Sequence, residues 1–151
     1  MSVRLVAEPF DPGALLTAFC AGRSDVGGVV TFTGLCRRDE GVAALELEAY
    51  SGFTETAIEA EVEAVRAAHA LLDVQVVHRV GRTSPGEPIV FVAAAAAHRR
   101  EAFLAADRLM DFLKSRAPFW KKEHTAAGAR WIEPRPQDYE DAARWDAPGS
   151  R

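Results

Sequence analysis

The sequence predicts an α+β fold, a mixed or antiparallel sheet packed with two long helices, in one domain over residues 1–151 with a polar tail from about residue 134. Three observations point there. The chain has 151 residues, 48% hydrophobic and 26% charged, which is the size and balance of one globular domain rather than two. Short β-branched and aromatic runs are interspersed with two long stretches of helical periodicity. The two kinds of segment follow no strict strand–helix–strand rhythm, which separates the chain from parallel α/β folds.

From the N-terminus, Ser2 to Ala7 predicts a short strand. Asp11 before Pro12 marks a helix start, because the carboxylate caps free N–H groups and proline suits the first turn; Gly22 can end that helix. Gly27 to Thr33, with Val29, Val30 and Phe32, predicts a buried strand that leaves as a polar loop from Thr33 to Gly41. Ala44 to Tyr50 sets Leu45, Leu47 and Ala49 against Glu46, Glu48 and Tyr50, a strand with one wet face.

Thr54 is a candidate cap for a helix over 54–72, whose stripe of Ile58, Val62, Val65, His69 and Leu72 is spaced four, three, four, three. His69 lies on that stripe and reads more simply as a packing histidine than as a functional one. Val74 to Val80 predicts a strand, Gly81 to Pro88 a turn, and Ile89 to Ala97 a strand whose second half is all alanine. Such small side chains admit a ligand or, more plainly, a closely packed helix. His98 to Arg116 is the second long helix, with Phe103, Ala106, Met110 and Leu113 inward; Ala117-Pro118 stops it. Phe119 to Thr125 and Ala129 to Glu133 predict two strands around Ala126-Ala127-Gly128, with a last helical turn near Tyr139 to Trp145.

Net charge is −4, which argues against a nucleic-acid binder. From Arg99 to Lys122, however, seven cations meet three carboxylates, a local surplus of four that suits a small anionic substrate. Cys20 and Cys36 have no metal-ligand spacing, nor do His98 and His124, and the glycines form neither a Walker loop nor a dinucleotide fingerprint. Neither a metal nor a cofactor is expected. Met1 to Phe10 lacks the basic-then-apolar pattern of an export signal, and the longest apolar run is half a membrane span. A soluble cytoplasmic protein with reduced thiols is expected.

The basic residues divide unevenly: fifteen are arginine and three are lysine, and Lys114, Lys121 and Lys122 all fall within nine positions. A helix end, a proline corner and a strand start place Lys114 and Lys121 on two elements that meet at a fixed angle. Two ammonium groups converging on one pocket depress each other's pKa, giving one amine fit for proton transfer and one that holds an anion. The plainer alternative is lysines meeting a helix dipole. Arg37 follows a buried strand and can fork a phosphate, or simply pair with Asp39 and Glu40. His98-Arg99-Arg100 opens a helix, where free N–H groups favour an anion but two arginines oppose the dipole. Phe119 and Trp120 among these cations also mimic a single-stranded nucleic-acid platform, a reading the acidic balance disfavours.

Four segments together carry a resemblance. They are Val30-Thr31-Phe32-Thr33-Gly34 with Arg37, Gly81 with Pro85-Gly86, Ala97-His98-Arg99, and Met110 through Lys114 and Lys121 to Glu123. In order and spacing, from about residue 4 to 135, the chain resembles the molybdopterin synthase catalytic (large) subunit family. Leu35-Cys36 departs from the more usual basic-then-aliphatic pair before Arg37, and the loop from Arg38 to Val42 is shorter.

The resemblance implies a sulfurtransferase of molybdenum-cofactor biosynthesis. Cyclic pyranopterin monophosphate would receive two sulfurs, becoming the dithiolene of molybdopterin. The sulfur would come from a thiocarboxylate on the Gly-Gly tail of a small ubiquitin-like partner, and the large subunit would dimerise within a heterotetramer. Lys114 and Lys121 would be the catalytic lysines; Arg37, His98, Arg99, Lys122, Glu123 and Arg135 would join them in lining the substrate or its approach. Arg99 and Lys114 stand fifteen residues apart on one helix, roughly 22 Å along its axis. If both serve one substrate, His98 and Arg99 come from the second subunit of the dimer.

Overall fold

Two four-stranded sheets organise residues 2–146, the part of the chain described in the computed structural model. In chain order the elements are β1 (Ser2–Val6), α1 (Pro12–Cys20), β2 (Gly28–Leu35), β3 (Val42–Ala49), α2 (Phe53–His69), β4 (Asp73–Arg79) and β5 (Gly81–Thr83). Then come β6 (Pro88–Ala96), α3 (Arg99–Ser115), β7 (Phe119–Thr125), β8 (Gly128–Ile132) and α4 (Pro136–Ala143), with a 3-10 turn at Arg144–Asp146. The first sheet has the order β1-β4-β6-β2 and is mixed: β1 runs parallel to β4, and the other pairs are antiparallel. The second, β5-β3-β7-β8, is antiparallel throughout.

The core is organised by the period of two in β6, which is buried on both faces. Val90, Val92, Ala94 and Ala96 meet Ile58, Val62 and Val65 of α2 and Ala102, Ala105 and Leu109 of α3. Phe91, Ala93 and Ala95 meet Phe19 of α1 with Val77 and the partly buried Val29. The alanine run is therefore close helix-on-sheet packing, with alanines of α3 against alanines of the strand. Gly27 belongs to the same tight region: a Cβ there would lie 2.0 Å from the Ala97 carbonyl oxygen.

Asp11 caps α1 as its sequence predicts, accepting from the N–H groups of Gly13 (2.9 Å) and Ala14 (3.2 Å). Other expectations are corrected. Strand β2 continues through Thr33 and Gly34 to Leu35, because its pairing with β6 does not stop where the sequence turns polar. Gly81–Thr83 pairs with Leu45–Leu47 as a strand, so the turn is confined to the residues between Thr83 and Pro88. Helix α2 ends at His69, leaving Leu72 beyond it and exposed. Phe103 is 60% exposed; Ala102, Ala105, Ala106, Leu109, Met110 and Leu113 form the buried face of α3.

Thr54 is not the cap residue of α2, which is Gly52, but the second residue of the helix, and it is fully buried. Its hydroxyl accepts from the Tyr50 N–H (2.9 Å) and donates to the Pro118 carbonyl (2.9 Å). One side chain thus joins the start of α2 to the corner between α3 and β7.

Candidate active site

A cleft of about 940 Å³ opens where the C-terminal end of α3 meets the ends of both sheets. Its walls come from the end of β2, from Leu45 and Leu47 of β3, from β7, and from the segment leading into α4. Of the residues expected to serve the site, Arg37, Lys114, Lys121, Glu123 and Arg135 line it. Lys114 stands in the last turn of α3, and Lys121 on β7 just beyond the Ala117-Pro118 corner. Alternation along β7 turns Lys121 and Glu123 to the cleft.

The charges in this cleft are matched unevenly. Arg37 Nε donates to Asp39 (2.9 Å), Arg135 donates to Asp138 (3.1 Å), and Glu123 accepts from Arg130 (2.7 Å). Asp138 also accepts from the Arg135 backbone N–H (3.0 Å), which fixes the start of α4. Burial works to raise the Asp138 carboxyl, yet these hydrogen bonds and the nearby cations hold it below its ordinary value. Every carboxylate named here has an arginine. Among the described residues the two lysines have no such ion-pair partner, and their charge is left for a ligand.

Lys114 reaches solvent through the cleft but is enclosed by its walls. That desolvation is the leading cause of a pKa held below the usual lysine value, and the charge on Lys121 adds to it. Arg135 and Arg37 act in the same direction, while Asp138 opposes. Burial, more than the mutual repulsion expected from the spacing, thus lowers the proton affinity of Lys114 beside a second cation.

His78, at the end of β4, is a cleft residue that sequence reasoning misses. It is 6% exposed, and its ring stacks on Phe119 at 4.3 Å between centroids. Burial, with the charges of Lys114 and Lys121, pushes its pKa down to about 4 against a hydrogen bond to the Arg79 carbonyl that favours the charged form. A histidine inside a β-branched strand carries no local signal; only the meeting of β4 with β7 reveals it.

Three expected site residues lie elsewhere in this chain. Lys122 points to the opposite face of β7, where its ammonium sits 4.3 Å over the Trp131 ring and 3.7 Å from Glu48. His98 is the N-cap residue of α3 and Arg99 its first residue, at the far end of the helix from Lys114, and both are exposed. Cys36 turns into the core with its thiol 3.9 Å from the Thr83 carbonyl, whereas Leu35 lines the cleft. Among the described residues, no group of three or more His, Cys, Asp or Glu side chains gathers as metal ligands. Nor is any described helix long and apolar enough to cross a membrane.

An α+β fold with two unpaired lysines in a cleft, one with a weakened hold on its proton, defines an anion-binding site equipped for acid–base chemistry. The family model described as MoaE protein matches residues 5–116, and the chain belongs to that family. It is 61% identical over 147 residues to the molybdopterin synthase catalytic subunit of Caulobacter vibrioides, covering 97% of this chain and 98% of the relative. It is 52% identical to the protein of the same name from Cereibacter sphaeroides, over 96% of this chain and all of the relative. Among solved structures, the molybdopterin biosynthesis MoaE protein from Burkholderia ambifaria superposes with a TM-score of 0.82 at 41% identity. That match covers 97% of this chain and 98% of the other.

Proposed function

We propose that this chain is the catalytic subunit of a molybdopterin synthase, a cytoplasmic sulfurtransferase acting on cyclic pyranopterin monophosphate. The sulfur donor is the C-terminal thiocarboxylate of a small ubiquitin-like partner ending in Gly-Gly, and the chain works as a homodimer within a heterotetramer. The observation that carries this reading is the convergence of Lys114 and Lys121 on one cleft without carboxylate partners.

Each transfer leaves a carbon–sulfur bond on the pterin side chain and a carboxylate on the partner's tail. The tail sulfur displaces an oxygen on the pterin side chain, and water then adds to the acyl carbon. The tetrahedral oxyanion collapses by breaking the acyl carbon–sulfur bond, leaving the tail as a carboxylate. A lysine beside that carbon stabilises the oxyanion and moves protons as it collapses. Lys114, with its lowered proton affinity, takes this role. Lys121 and Arg37 hold the phosphate and the pterin, Arg135 and Glu123 frame the approach, and His98 and Arg99 reach the substrate from the second subunit. Lys122, facing the other side of β7, acts at most as an outer support.

The test is incubation with cyclic pyranopterin monophosphate and a thiocarboxylated partner, followed by detection of the dithiolene product. Lys114→Ala is expected to abolish product while the complex with the partner survives in gel filtration. A variant with near-normal turnover would refute the role assigned to Lys114.

A further inference from the structure

His78 makes one hydrogen bond that determines its chemistry. Its Nδ1 lies 2.8 Å from the Arg79 carbonyl oxygen, and a carbonyl only accepts, so Nδ1 carries the proton. The neutral ring then presents a bare lone pair on Nε2. Among the described residues, Nε2 has no hydrogen-bond partner.

The surroundings hold the ring in place. Phe119 stacks on one face with an interplanar angle of 25°, and His78 pairs with Leu5 of β1 and Val90 of β6, neither of which brings a charge. The charged groups acting on the ring are Lys114 from α3 and Lys121 from β7. All three residues line the same cleft. An acceptor with a fixed tautomer, sharing a cleft with two ammonium groups that have no carboxylate partner, is suited to receive an N–H.

We propose that His78 is a positioning residue for the lysine pair: when substrate enters the cleft, its Nε2 accepts a hydrogen bond from the Lys114 ammonium and orients that amine. This rests on the reading of Lys114 as the acid–base group. A carboxylate in the same place would neutralise Lys114 and repel an anionic substrate; a protonated imidazole would add a third cation. Neutral imidazole aims the amine and leaves its charge for the ligand. The stacking on Phe119, one residue from the Pro118 corner, ties this acceptor to the strand that carries Lys121.

Two substitutions separate the nitrogens. Asn at position 78 reaches about as far as Nδ1 and keeps a donor for the Arg79 carbonyl without reaching the lysines. Gln reaches about as far as Nε2 and restores an acceptor there. With the thiocarboxylated partner and cyclic pyranopterin monophosphate, His78→Asn is expected to lower kcat about ten- to hundredfold with KM little changed. His78→Gln is expected to recover most of the loss, with both variants giving the melting curve of a folded protein. Equal loss in both variants, or no loss in either, would overturn the proposal.

A second measurement does not depend on turnover. In the full chain labelled with 15N-histidine, NMR should show His78 as the neutral Nδ1–H tautomer and, with cyclic pyranopterin monophosphate bound, an Nε2 shift that changes in Lys114→Met. An Nε2–H tautomer, or a shift unchanged in that variant, rejects the contact. If the wild type makes no dithiolene, the functional reading fails while the NMR result still decides the role of His78.

Discussion

At the scale of single residues, the cleft works by withholding compensation. Asp39, Glu123 and Asp138 would each neutralise a lysine if free, but each is held by an arginine at 3.1 Å or less. These pairs lie near the surface, where solvent screens them and they add little stability. Their effect is to leave Lys114 and Lys121 as the unmatched charges.

His78 shows the cost of burying a titratable group beside them. Its folded-state pKa of about 4 lies below the 6.5 of the free side chain. Between those values the unfolded chain binds a proton that the folded chain refuses. Stability is therefore full above about pH 6.5 and falls as pH drops toward 4, by on the order of 3 kcal/mol from this group. Denaturant titrations at stepped pH should show wild type losing stability across that window more steeply than His78→Gln. Parallel curves would mean that the ring titrates normally.

At the scale of elements, the positions of the lysines depend on one corner. Helix α3 ends at Ser115, Pro118 blocks its continuation, and β7 starts at Phe119, so seven residues of chain turn Lys121 back toward Lys114. Thr54 holds that corner from a third element through its bond to the Pro118 carbonyl. Thr54→Val keeps the shape but strands the Tyr50 N–H and the Pro118 carbonyl. It is expected to cost about 1–3 kcal/mol in chemical denaturation. Turnover should fall more than stability predicts, because the angle between α3 and β7 loosens. Stability and activity both at wild-type levels would show that the corner holds without the hydroxyl.

Segment by segment, the sequence is informative about these elements where a period or a cap is strong. The stripe of α2, the Asp11-Pro12 start of α1 and the proline stop of α3 all appear in the structure close to where the sequence puts them. It misleads where pairing with a neighbour overrides local polarity, as at Thr33–Leu35 and Gly81–Thr83. Helical spacing turns Phe103 inward because an aromatic at that period resembles core, yet the alanines beside it do the packing and the ring stays exposed.

At the scale of the molecule, α3 separates two groups of residues expected at one site. His98 and Arg99 are at one end and Lys114 at the other, roughly 22 Å away along the axis. A shared substrate therefore needs a second chain, and this is testable by complementation. Arg99→Ala and Lys114→Ala homodimers should both be inactive. Mixed dimers of the two should regain turnover, because one of the two sites then combines the intact Arg99 of one chain with the intact Lys114 of the other. No recovery on mixing would put both residues to work within one chain.

Periodicity, capping and motif spacing are local, so the α+β class, the concentration of lysine within residues 114–122 and the family resemblance are all legible without coordinates. The same sequence does not show that there are two sheets, that Lys122 faces away from Lys121, that arginines hold Asp39, Glu123 and Asp138, or that a buried His78 lines the same cleft as the lysines. Those depend on contacts between residues far apart in the chain, such as His78 with Phe119 and Thr54 with Pro118. Electrostatics in a cleft is set by which groups meet there and how much water they keep, and only the packed fold decides both.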